Sequence, residues 1–186
     1  MLKKERMRKD NMKRYGIIGY VGLLFLSLMA SNLMAEEALV HDAWQVRISS
    51  KDAKKVFYMT SLPESQTGNF KKRGQTFISI TSRPDQKSFN VFSLTAGYDY
   101  KEESSVKVSV FTGDKKKLKG FELFSQNNMA WAVDDKMDQE LVQAMRQGEI
   151  LVVEGISQKG TISTDTYSLK GFTAAYKELE SVSKKS

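Results

Sequence analysis

The sequence predicts a mainly β fold: an antiparallel sandwich-like or barrel-like domain with two short helices near the C-terminus. Three observations carry this prediction. Short apolar runs, several of them alternating with period two, recur from residue 43 to residue 133 and are separated by turn residues. Two later segments instead place apolar residues three and four apart, the spacing of one helix face. The chain has 186 residues, no internal repeat and no cysteine, which suits one domain held together by burial alone.

Residues 43–49 alternate cleanly, with Trp44, Val46 and Ile48 on one side, and form the first expected strand. A polar turn over 51–55 leads to a second strand over 56–60, which Pro63 ends. Residues 64–74 read as a polar loop carrying Lys71, Lys72 and Arg73. Strand character resumes over 75–82 and turns at Arg83-Pro-Asp85. Further strands are expected over 88–96, 104–111 and 118–125, the second with Val106, Val108 and Val110 facing in and Lys107 and Ser109 facing out. After the Gln126-Asn-Asn128 turn comes a short apolar segment over 129–133.

The last part of the chain is helix, strand, turn, strand, helix. Asp134 and Asp135 supply short acceptor side chains for a helix start, Met137, Leu141, Ala144 and Met145 share a face, and Gly148 stops the helix. The β-branched run over 149–156 is a strand, reversed at Gln158-Lys-Gly160 and paired with 161–169. Gly171 breaks that strand, and Phe172, Ala175, Tyr176 and Leu179 give the second helical stripe. Trp44, Trp131, Phe77, Phe92, Phe121, Phe124 and Tyr167 are expected in or beside the core.

The formal charge of +7 is unevenly placed. Residues 1–35 hold seven Lys and Arg against two acids, whereas the remaining 22 bases and 20 acids leave only +2. Basicity therefore belongs mostly to the leader and is no sign of a nucleic-acid partner. The leader has the layout of a secretory signal: a basic region, an apolar run over 17–30, and Leu33-Met-Ala35 before a cut between Ala35 and Glu36. Met12 is an alternative start, and an uncleaved anchor is the alternative to cleavage, since 15–35 carries no charge. With cleavage, no stable membrane span remains, and residues 36–186 form the single domain.

Chemistry-bearing motifs are sparse. Gly155-Ile-Ser157 comes close to a nucleophile elbow, but Ser157 leads into a hairpin and the one histidine, His41, lies near the expected mature N-terminus. One histidine and no cysteine leave only carboxylates for a metal, and Asp134-Asp135 is more simply a helix cap than half of a calcium site. No glycine-rich phosphate loop precedes a helix. The sequence therefore predicts no catalytic residue, no metal and no cofactor. The basic clusters Lys71, Lys72, Arg73 and Lys115, Lys116, Lys117, Lys119 have two readings: contact with an anionic surface such as lipid headgroups or a sulfated glycan, or plain solubilisation of loops and edges.

Several segments together resemble one family. Asn69-Phe-Lys-Lys-Arg-Gly74, Thr81-Ser-Arg-Pro84, Ala96-Gly-Tyr-Asp-Tyr-Lys101, Phe121-Glu-Leu-Phe124, Ala130-Trp-Ala132, Leu141-Val-Gln-Ala-Met145 and above all residues 160–175 occur in the order of the invasion-associated locus B family. The resemblance runs from Trp44 to about Leu179. It implies a small β-rich exported protein of the periplasm or bacterial surface without catalytic residues, one relative being linked to pathogen entry into red blood cells. On that footing the expected function is a non-enzymatic interaction protein that contacts an envelope or host-surface protein or glycan. A periplasmic small-ligand or envelope-stress binding module is the alternative. The family often carries two cysteines at places corresponding to about Phe57 and Ser183, so the resemblance implies loss of that disulfide here and a tail that frays after residue 180.

Overall fold

Alternation decides which residues become strands and which side of the sheet they cover. In the computed structural model, which describes residues 38–51 and 54–185, Val106, Val108 and Val110 are buried while Lys107 is exposed, as period two requires. The expected leader, with its expected Ala35–Glu36 cut, lies outside the described residues. The strands are β1 (Leu39–His41), β2 (Trp44–Lys51), β3 (Lys54–Ser61), β4 (Ser65–Gly68), β5 (Phe77–Arg83), β6 (Ser88–Thr95), β7 (Ser105–Phe111), β8 (Lys117–Gln126), β9 (Met129–Trp131), β10 (Ile150–Ile156) and β11 (Ile162–Ser168). Among the described residues the helices are α1 (Asp135–Gln147) and α2 (Phe172–Lys184).

All eleven strands join one antiparallel sheet in the order β1-β2-β3-β5-β6-β9-β8-β7-β10-β11-β4. Two strands, β1 and β4, were not foreseen, and β4 interrupts what reads in sequence as a loop. Its position determines the shape. In a flat sheet β4 and β3 would lie eight strand spacings apart, about 38 Å. Yet only the segment from Ser61 to Ser65 connects them, and it spans at most about 14 Å. The sheet must therefore curl until its β4 edge returns to the neighbourhood of β3, which is the barrel-like form expected from the sequence. Residues 62–76 act as the strap across this closure.

One core fills the curl. It includes Trp44, Phe57, Met59, Ile80, Phe92, Val108, Val153 and Tyr167 from the strands and Leu141, Met145, Phe172 and Leu179 from the helices. Trp44 meets Phe172 edge-on at 4.9 Å between ring centroids, and its Nε1 donates to the Ser168 carbonyl at 3.1 Å. The first strand of the core is thereby tied to the start of the last helix.

The caps of α1 follow its sequence. The side chain of Asp134 accepts from the Met137 N–H at 2.8 Å, and Gly148 ends the helix. Buried Asp138 accepts from the Phe92 N–H at 2.8 Å and pins α1 to β6. Since Asp134 is exposed and serves only the cap, Asp134→Ala is expected to cost about 1 kcal/mol in chemical denaturation, with an unchanged denaturant slope.

Helix α2 begins at Gly171, whose φ of +84° and backbone contact with His41 leave no room for a side chain. It continues to Lys184, beyond the point at which the sequence expects the tail to fray. Ser183 is buried and its hydroxyl donates to the Glu180 carbonyl at 3.2 Å. Phe57 and Ser183 are thus both interior residues, on β3 and α2, two elements that pack together.

Candidate functional site

The strap is held down by polar contacts that sequence reasoning did not anticipate. Gly74 and Gly97 touch through their backbones: the Gly74 N–H donates to the Gly97 carbonyl at 2.9 Å, and a Cβ at Gly97 would lie 2.4 Å from the Gly74 oxygen. Gly97 also has φ +72°. Gly97→Ala is accordingly expected to cost on the order of 1–3 kcal/mol through backbone strain and displacement of the strap. Limited proteolysis should then cut within 62–76 before the rest of the domain.

This approach places Arg73 over the core face of β11. Its Nε donates to the Ala96 carbonyl at 2.6 Å, and its Nη1 and Nη2 donate to the two Asp165 carboxylate oxygens at 2.5 and 2.7 Å. The side chains of the pair are 5% and 3% exposed. Burial would lower the Arg73 pKa, but the hydrogen bonds and charge of Asp165 more than offset it and leave it raised. The guanidinium lies over the rings of Tyr98, at 4.8 Å, and Phe70, at 5.4 Å. Beside it, the Tyr98 hydroxyl shares a 2.6 Å hydrogen bond with the Ser163 hydroxyl. Tyr98 and Tyr100 pack edge-on over Gly155, where a Cβ would sit 2.7 Å from both side chains.

The cluster joins three of the family-like segments: 69–74, 96–101 and 160–175. Its polar groups largely satisfy one another, and the strongest pair is a complete bidentate bridge, so the arrangement ties the strap to β11 and closes the fold. The buried Tyr167 hydroxyl nearby has no hydrogen-bond partner among the described residues. Burial raises the pKa of Tyr98, Tyr100 and Tyr167, partly opposed at Tyr98 by its Ser163 bond and by Arg73. Burial holds these hydroxyls protonated while unfolded tyrosines ionise from about pH 10, so their contribution to stability is constant below that pH and falls above it. Alkaline titration should therefore show the last part of the tyrosinate absorbance appearing together with loss of the fold. Ionisation of all the tyrosines in a still-folded protein would contradict this.

The residues singled out in the sequence are scattered. Lys71 and Lys72 are exposed on the strap, but Arg73, expected beside them, is instead turned inward because Asp165 waits there. Lys115, Lys116 and Lys117 are exposed around the β7–β8 turn, and Lys119 is shared with Glu140 of α1 at 2.9 Å. The two clusters do not converge: the second lies at the Ile150 end of β10, where Phe111 pairs, whereas the strap leaves β4 at Gly68, which pairs with Ser163 opposite Gly155 near the other end.

His41 and Ser157 are also far apart. His41 adjoins Gly171 beyond one end of β11, and Ser157, whose Oγ accepts from the Thr161 N–H at 3.1 Å, lies beyond the other. A seven-residue strand of roughly 20 Å separates them, which excludes a shared proton transfer. No group of three or more His, Cys, Asp or Glu that could hold a metal occurs among the described residues. None of the described helices is long and apolar enough to cross a membrane.

A signal for the missed cluster was present in the sequence. Tyr167 and Leu169 fix the inward face of β11, and by parity Asp165 and Ser163 share it. An inward carboxylate requires a cation, and the strap supplies one.

The model of the family described as "Invasion associated locus B (IalB) protein" matches residues 44–180. Among solved structures, the crystal structure of invasion associated protein b from Bartonella henselae is similar, at 21% sequence identity and a TM-score of 0.56. The match covers 80% of this chain and 98% of that one. At that identity the likeness is one of fold. No curated protein matches the chain.

Proposed function

This chain belongs to the invasion associated locus B family, and from that premise we propose that it is an exported, non-enzymatic protein of the bacterial envelope or surface that acts by contact. Its partner is an envelope component or a host-cell surface, with attachment or entry as the outcome in a bacterium that meets a host. The observation carrying this reading is the use made of the polar residues in the family-like segments. Arg73, Asp165, Tyr98 and Ser163 are spent on one another in closing the sheet. What the fold offers outward is lysine-bearing loops and sheet edges, including Lys71, Lys72, Lys115, Lys116 and Lys117. We assign these lysines as the anionic-surface contacts.

Cell fractionation combined with protease treatment of intact bacteria tests the location. Digestion of the domain in intact cells, together with reduced host-cell attachment on deletion, is the expected result. Protection until the outer membrane is permeabilised would exclude surface action and leave a periplasmic contact role. For the lysines, replacing all five by Glu should abolish binding to anionic vesicles or heparin. Unchanged binding would remove them from the contact.

A further inference from the structure

The closed strap leaves β4 as a preformed outer strand. β4 ends the sheet, pairs only with β11 among the described residues, and is exposed at every position. Outer strands are ordinarily guarded by shortness, lysine, proline or a bulge, and β4, at four residues, has only the first of these. Ser65-Gln-Thr-Gly68 has no charge, no proline and a regular register with β11. Because Arg73 and Gly74 fix the strap that follows it, presenting this edge requires little further ordering.

The flanks of β4 indicate what fits it. Glu64 is exposed at one end, and exposed Lys71 and Lys72 follow the other. The same polarity holds for apolar groups: Leu62, 61% exposed, precedes the strand, and Ile162, 62% exposed, lies across from its far end, next to the Ser163 that pairs with Gly68. An antiparallel two-fold axis that sets Gln66 opposite Gln66 of the second copy brings the Glu64 end of one copy to the lysine end of the other, twice, and turns each Leu62 toward the Ile162 end opposite. We propose that β4 is a self-complementary docking edge that pairs with β4 of a second copy, making one continuous sheet across a two-fold dimer. A four-residue ladder with its flanks is at the low end of interface size, below roughly 1,200 Å², so the dimer forms at high local concentration.

The experiment is sedimentation velocity of the purified protein from micromolar to millimolar concentration, with site-directed cross-linking. A concentration-dependent monomer–dimer equilibrium is expected. Gln66→Lys, at an exposed position, places like charges across the axis and should weaken the dimer at least about tenfold. Glu64→Lys should weaken it too, and adding Lys71→Glu and Lys72→Glu should restore it by exchanging the charges. Because the chain has no cysteine, Gln66→Cys should oxidise to a disulfide dimer well above the yield of Glu103→Cys, an exposed loop control. Circular dichroism verifies the fold of each variant. A monomer at every concentration overturns the proposal, as does a dimer indifferent to Gln66→Lys, or cross-linking no better than the control.

Discussion

Asp165→Ala is expected to cost about 3–5 kcal/mol and to lower the melting temperature by about 10 °C, the largest effect of any single surface-remote polar substitution in this fold. The loss comes less from the missing attraction than from what remains. Arg73 keeps its bond to Ala96, but its charge stays in a site where its side chain was 5% exposed and its partner 3%. Arg73→Met alone should be similarly severe, for it strands the carboxylate. The double substitution Arg73→Met, Asp165→Leu should recover most of the loss, because two apolar side chains need no partner. Urea denaturation of the four proteins closes the cycle. Equal, additive losses would mean that the pair is not coupled and that the strap is held by Gly74 and Phe70 instead.

Trp44→Ala should be comparably costly, at about 3–5 kcal/mol. Its side chain is fully buried, packs edge-on against Phe172, and bonds the Ser168 carbonyl 124 residues away. Truncation opens a cavity between β2 and α2 and orphans that carbonyl. Trp44→Phe separates the two terms: the ring contact is largely kept, and the lost hydrogen bond should cost about 1–3 kcal/mol. Hydrogen exchange should place the added opening in α2. Protection of α2 equal to that of the parent in Trp44→Ala would show that the helix is held by its other core contacts.

Much of the fold was legible because burial follows alternation. The valines of β7, the cap at Asp134 and the stripe of Phe172, Ala175, Tyr176 and Leu179 are local patterns, and each lies where its period requires. What was missed depends on distant partners. Ser65–Gly68 carries no hydrophobic signal at all and is a strand because it pairs with β11, Thr67 lying opposite Thr164. Arg73 reads as part of a basic run with Lys71 and Lys72. It turns inward only because Asp165, 92 residues later, faces the core. The candidate site was thus half visible, as an inward aspartate, and its cation was concealed among soluble neighbours.

The strand order also governs when this protein can fold. A chain emerging from its N-terminus can form the β2–β3 and β5–β6 hairpins early, since those pairs are local. β4 has nothing to pair with until β11 has appeared, and Trp44 lacks its Ser168 acceptor until then. Loop closure on this scale carries its entropic cost before any contact rewards it, so the final closure is expected to be the slow step, which stopped-flow refolding monitored at Trp44 would check. Until then the nascent sheet is open, with β10 lacking β11 on one side. A chain released before residue 162 would stay in that state, prone to pair with its neighbours rather than with itself.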